Sequence, residues 1–206
     1  MASQLIVIPG GRTGHRIGPN AILDVADALR AEQGEQCARE VFASAGLERY
    51  LDEPPARMVD EHEVAELHRK LRMALGEWPA MDIERQAGIA TAQHLLQRHI
   101  PSTYQWMLRR LPDRIAGRVL LSSIVQDSRS FAGSARVTAS YTVPLRLSIE
   151  NNPMCRDSHT DVPDCAYYAA ALERLFRVLV ASRARVSETE CEARGDSACC
   201  FEIRLR

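Results

Sequence analysis

The chain has 206 residues, 46% of them hydrophobic and 26% charged, with a formal net charge of −1. That length suits one sizeable core, and so balanced a charge gives no reason to expect nucleic acid as a partner. No apolar run reaches the ~20 residues of a membrane span, and MASQLIVIPGG lacks the long apolar region of a cleavable leader. The expectation is a cytoplasmic protein whose six cysteines are reduced and serve as core filler, metal ligands or reactive groups rather than as a disulfide framework.

An apolar LIVI at 5–8 leads into the glycine-rich PGGRTGHRIGPN, on which neither GxGxxG nor GxxxxGK[ST] can be laid. A helix is expected from near Pro19, with Ile22, Val25, Ala26 and Leu29 on one face. A shorter helix carrying Val41, Phe42 and Ala45 should end at Gly46, and Val64, Leu67, Leu71 and Leu75 mark a third. Residues 1–80 thus read as a helical N-terminal part. Within it, from Glu48 to Glu66, seven acids face only Arg49 and Arg57, a net of −5.

The next helix, about Ala80 to Arg98, is rich in small residues: Ala87, Gly88, Ala90, Thr91 and Ala92. Small side chains admit a neighbouring helix or a flat ligand. His94 and His99 flank its end, as ordinary helix-end histidines or as an axial nitrogen for a tetrapyrrole metal. From Arg98 to Arg118 five arginines oppose the single Asp113, either as a solvated helix face or to receive an anionic ligand or acidic surface. One or two helices cover Pro101 to about Gln126, interrupted at Leu111-Pro112.

After Phe131-Ala132-Gly133-Ser134 the apolar period changes to two. Arg136–Val143 and Leu145–Glu150 alternate like strands, a helix runs from about Asp164 to Ser182, and ETECEARGDSACCFEIRLR closes as a hairpin. The order predicts an α+β fold of the small-molecule-binding type. N-terminal helices pack with an antiparallel sheet built strand-strand-helix-strand-strand from residues 130–206, in a single domain spanning 1–206.

Alternation in the last strand turns Cys199, Phe201 and Ile203 inward and Cys200 outward. In the strand before it, the polar side falls to Glu188, Glu190 and Glu192, leaving Ser187, Thr189 and Cys191 facing the core. An unbulged hairpin with a three-residue turn then makes Cys191 and Cys199 neighbours on the buried face. Cys165 could join them, and Cys155 or His159 could supply a fourth ligand. A zinc ion is one reading of Cys165, Cys191 and Cys199; inert buried thiols are the other, since the spacing C-x9-C and C-x7-C lacks the tight pairs of a zinc signature.

RIGPNAI at 16–22, AGIATAQHLLQRHIP at 87–101, SFAGS at 130–134, ALERLFRVLV at 171–180 and CEARGDSACCFEI at 191–203 together resemble the bacteriochlorophyll 4-vinyl reductase family, the 4-vinyl-reductase domain proteins. Where that family's pattern leads one to expect His and Trp before the FAGS element and Gly after it, this chain has Gln126-Asp127-Ser128-Arg129 and Ala135. The resemblance implies bacteriochlorophyll biosynthesis and, by the family name, reduction of a tetrapyrrole vinyl group. The sequence carries no recognisable nicotinamide or flavin motif. The favoured expectation is therefore a protein that binds a Mg-tetrapyrrole, of the Mg-protoporphyrin or divinyl chlorophyllide type, and presents it to pathway enzymes such as the magnesium chelatase or a methyltransferase. The alternatives are a true vinyl reductase and a ligand-sensing regulatory module with structural zinc. Patterning assigns Gly88, Thr91, His94, Trp106 and Phe131 to an apolar slot, and Arg109, Arg110 and Arg114 to the pigment's propionates. A location peripheral to the photosynthetic membrane and a homodimer are both compatible with this reading.

Overall fold

A computed structural model describes residues 15–205. The apolar 5–8 segment and the glycine-rich connection up to residue 14 lie outside the described residues. A short antiparallel ribbon, β1 (Arg16–Ile17) with β2 (Val59–Asp60), brackets the first helices. α1 (Asn20–Ser44) is broken at Gly34, whose φ of 85° is open to glycine without strain. α2 (Arg49–Asp52) is a single turn. α3 (Glu61–Leu75) starts on Asp60, whose carboxylate accepts the His62 N–H at 2.9 Å. Gly76 separates it from α4 (Glu77–His94), the expected small-residue helix, which runs on into a π-helical turn at Leu95–His99. The break at Leu111-Pro112 divides α5 (Ser102–Arg110) from α6 (Asp113–Gln126) as expected.

A brief α7 (Ser128–Ala132), not anticipated from the sequence, carries Phe131 and leads into the sheet. β3 (Arg136–Ser140) and β4 (Leu145–Glu150) precede α8 (Ala166–Leu179), and β5 (Arg185–Glu190) and β6 (Cys199–Arg204) follow it. The sheet order is β3-β4-β6-β5, antiparallel throughout. The expected α+β class and its strand-strand-helix-strand-strand order are therefore what the chain adopts.

One sheet face is apolar and fully covered: Leu145, Leu147 and Ile149 of β4 lie beside Cys199, Phe201 and Ile203 of β6, all buried. Burying a side chain of the size of Leu or Phe stabilises by about 1.5–3 kcal/mol, so this face dominates the C-terminal core. α8 sits over it. Tyr168 meets Phe201 and Phe131 edge-on at 6.2 and 6.0 Å, while the adjacent Tyr167 points to the helical side and meets the His68 ring at 5.9 Å. Gly88 is the point where α4 touches α8, since a Cβ there would collide with the Tyr167 carbonyl oxygen. The small residues of α4 are thus used for close helix packing.

The last hairpin differs from its expected form. Val186 pairs with Ile203 and Glu188 with Phe201, so these even-numbered residues face the core, and Ser187 and Thr189 face solvent. A register shift between Glu188 and Glu190 then returns Cys191 to the inner face. The connection is a 3-10 turn at Glu192–Arg194 closed by Gly195 at φ 92°, longer than a three-residue turn. Cys191 and Cys199 do end up as buried neighbours, through a bulge rather than through simple alternation.

Candidate functional site

Four cysteines converge where the sheet, the α8 N-terminus and the loop before it meet. Cys155 ends a 3-10 turn (Pro153–Cys155), Cys165 is the N-cap residue of α8, Cys191 follows the bulge, and Cys199 opens β6. All four are buried, and their Sγ atoms lie within 4.8 Å of one another. Individual separations are 3.4 Å for Cys155 to Cys199, 3.5 Å for Cys165 to Cys199, and 4.0 Å from Cys191 to both Cys165 and Cys199. A tetrahedral ion with metal–sulfur bonds of about 2.3 Å requires sulfur separations of about 3.8 Å, which these straddle. Cys155, not His159, is the fourth member; His159 lines a cleft of 270 Å³ beside Cys155, Arg156 and Glu192.

The electrostatics match that geometry. Hydrogen bonding among the thiols, with Cys155 the largest contributor, holds the Cys191 thiol below its ordinary range and pushes those of Cys165 and Cys199 above it. One thiolate is comfortable among three thiols; four need a cation. Neighbouring groups orient the sulfurs: Asn152 Nδ2 donates to Cys165 Sγ at 3.1 Å, and the Glu192 N–H to Cys199 Sγ at 3.4 Å. The Glu192 carboxylate in turn accepts the N–H groups of Asn151 and Asn152.

Arg72 of α3 ties this cluster to the helices. Its guanidinium donates to the carbonyls of Met154 and Asp164, the residues immediately before Cys155 and Cys165, at 3.0 and 3.2 Å. It also pairs with the carboxylates of Asp164 at 2.5 Å and Glu84 at 2.9 Å, and Glu84 receives the buried His68 Nδ1 at 2.7 Å. Burial pushes the Asp164 carboxyl up to about 7 against the pull of Arg72, and burial, with Cys191 next, pushes Glu188 up to about 8. The Glu188 carboxylate accepts the Cys165 N–H at 2.8 Å.

A second polar seam joins α1, α4 and α8. Buried Asp24 accepts Thr91 Oγ1 at 2.5 Å, and Thr91 Oγ1 and Tyr167 Oη are 2.7 Å apart. Asp24 also lies 3.1 Å from His94 Nδ1, beside which stands the Asn20 amide at 3.2 Å. Burial raises the Asp24 carboxyl above its ordinary range, against the opposing hydrogen bond from Thr91 and the charge of His94. Nδ1 of His94 is therefore occupied, and Nε2 makes no hydrogen bond among the described residues.

The expected ligand residues divide. Thr91 and His94 share this seam, Gly88 packs on Tyr167, and Phe131 is half-buried against Tyr168. Trp106, Arg109, Arg110 and Arg114 are exposed on α5 and α6. Sequence reasoning missed Arg72, Glu84 and His68 altogether. The available signal was their position: His68 and Arg72 directly follow Leu67 and Leu71 in the apolar stripe of α3, where an exposed charge has no place.

The 4-vinyl-reductase domain family matches residues 145–205, the segment holding all four cysteines. The chain is 39% identical over 194 residues to the bacteriochlorophyll synthase 23 kDa chain of Cereibacter sphaeroides, covering 94% of this chain and 93% of that protein. To the protein of the same name in Rhodobacter capsulatus it is 32% identical, over 91% and 86%. Among solved structures, an H-NOX family protein studied for heme distortion superposes with a TM-score of 0.58 at 17% identity, covering 92% of this chain and 95% of that one. The phenol-responsive sensory domain of the transcription activator PoxR, solved with phenol, superposes with a TM-score of 0.51 at 12% identity, over 72% and 77%. At these identities the likeness is one of fold.

Proposed function

Because the chain belongs to the family of bacteriochlorophyll synthase 23 kDa chains, proteins with a 4-vinyl-reductase domain, we propose that it serves bacteriochlorophyll biosynthesis by binding a Mg-tetrapyrrole intermediate and presenting it to pathway enzymes, with zinc held at the four cysteines. The observation that carries the reading is similarity to these synthase chains over nearly the whole length. Folds like this one hold heme or phenol in the structures it superposes on, which supports a flat, largely apolar ligand. On this reading Cys155, Cys165, Cys191 and Cys199 form a closed structural site. The zinc would neutralise their thiolates and fix the α8 N-terminus to the last hairpin.

His94 is the side chain best placed to meet the pigment metal. Its Nδ1 is held at 3.1 Å from the Asp24 carboxylate, an arrangement that fixes the tautomer and leaves Nε2 with its lone pair facing outward. No helix among the described residues is long and apolar enough to cross a membrane, so contact with membrane-bound synthase components would be peripheral.

The test is an absorbance titration of the purified chain with Mg-protoporphyrin and with divinyl chlorophyllide, each without and then with NADPH. A saturable Soret shift that NADPH leaves unchanged, weakened by His94→Ala, supports a carrier. Conversion of the divinyl to the monovinyl spectrum would replace it with the reductase reading. Absence of any shift, with one zinc per chain by elemental analysis, would favour the sensory alternative to which the PoxR-like fold also lends itself.

A further inference from the structure

The outer face of α5 and α6 carries apolar surface and charge that the sites above do not use. Of the eight large apolar side chains exposed among the described residues, five lie here: Trp106 and Met107 on α5, Ile115 on α6, and Tyr141 and Val143 in the loop joining β3 to β4. Single exposed apolar groups are ordinary on any protein, but a concentration of them marks a contact surface. The three pieces are held together. Only Leu111 and Pro112 separate the helices, and Arg118 Nε donates to the Tyr141 carbonyl at 3.0 Å. Trp106 is 61% exposed, and the Arg110 guanidinium lies 4.7 Å over its ring.

The charge on this face has one sign and no internal answer. Arg109, Arg110, Arg114 and Arg118 are all exposed, and none forms an ion pair with a carboxylate among the described residues. On the rest of the surface, Arg30, Arg39, Arg49, Arg69 and Arg85 each have an acidic partner. The acidic 48–66 segment does not supply the complement. Asp52 is taken by Arg39, Glu63 by Arg49, Glu66 by Arg69, and Glu61 is buried on Arg156. A second copy of this chain therefore offers no free acidic surface of matching strength there.

We propose that this face docks the protein on an anionic phospholipid bilayer. Trp106, Ile115 and Val143 enter the headgroup region, where an indole is favoured, and the arginines reach back to lipid phosphates in paired hydrogen bonds. An acidic protein partner would be served by the arginines but gives no reason for the tryptophan and aliphatic groups to stand among them. The proposal deepens the peripheral-membrane part of the function above and does not depend on pigment binding, so the two fail separately.

The experiment is vesicle flotation of the full chain without pigment, on phosphatidylcholine vesicles and on vesicles with about a third phosphatidylglycerol. Binding is expected to the anionic vesicles alone, and to fall as salt shortens the screening length toward about 3 Å at 1 M. Arg110→Gln with Arg114→Gln should weaken it about 25-fold, about fivefold for each charge. In a Trp78→Phe background, Trp106 emission should shift to the blue on binding, and Trp106→Ser should bind more weakly. Equal partition into neutral and anionic vesicles, no binding to either, or full binding by the arginine double variant would overturn the proposal. So would self-association or capture of an acidic polypeptide that the same double variant abolishes while vesicle binding is absent.

Discussion

The cysteine end of the molecule and the α5–α6 face use charged groups in opposite ways. At the first, Arg72, Glu84 and Asp164 are buried, each held by partners from different elements, and they set the position of the chain beside Cys155 and Cys165. At the second, four arginines stand in solvent with no carboxylate partner among the described residues. Removing a buried charge leaves its partners stranded in a medium that cannot solvate them, while removing an exposed one leaves water in its place. The first region should therefore respond to mutation in stability, and the second in binding alone.

Four measurements test that contrast, in falling order of effect. Cys165→Ser with Cys199→Ser should abolish zinc content and cost on the order of 5 kcal/mol or prevent folding. A variant that stays folded with an unchanged urea midpoint would show the cluster to be mere core filler. Arg72→Met should cost about 3–5 kcal/mol by urea unfolding, because Glu84 and Asp164 stay buried without their cation, and adding Glu84→Gln should recover part of the loss. Additivity of the two would break the network account.

Glu61 supplies the pH-dependent case. Burial alone would raise its carboxyl, but the hydrogen bonds of Ser134 and Arg156 outweigh burial and leave it below its ordinary range. A lowered folded value stabilises above the unfolded value near 4.3, and that contribution is lost as pH falls through the folded value. Glu61→Gln should therefore cost about 2 kcal/mol at neutral pH, with the gap to wild type closing below about pH 4. A gap independent of pH would assign the effect to packing. The smallest change belongs to the arginine face: Arg110→Gln with Arg114→Gln should move stability by less than about 0.5 kcal/mol per site while weakening vesicle binding. A large loss of stability there would erase the distinction between the two regions.

Much of the fold was legible because its signals are periodic and local. The helix breaks at Gly46 and Leu111-Pro112, the shift to strands after Ser134, and the inward Cys199, Phe201 and Ile203 all follow from patterns a few residues long. The β5 register was not legible, since a bulge at Thr189 reverses the alternation and nothing in SETE announces it. Cys155 and Cys165 meet Cys191 and Cys199 only through tertiary folding, so sequence spacing offered candidates without a site. The net charge of the 48–66 segment misled for a related reason: it counts Glu61, Glu63 and Asp52 alike, although one is a buried structural group and the others are neutralised at the surface. The FAGS element has a local explanation only in three dimensions. A side chain at Gly133 would strike the Glu61 carboxylate, which accepts Ser134 N–H and Oγ–H.

The strand order β3-β4-β6-β5 places the last-synthesised of these strands at an interior position. Until β6 arrives, β4 has one bare edge and β5 has no neighbour in the sheet, both open to pairing with other chains. The β5–β6 hairpin is a local structure and closes quickly, but its docking on β4 spans some fifty residues of intervening chain and is the slow, entropically costly step. The same docking brings Cys191 and Cys199 to Cys155 and Cys165. Metal capture and closure of the sheet edge are thus a single event in the assembly of this molecule, and a nascent chain starved of the ion would linger with its most adhesive strand uncovered.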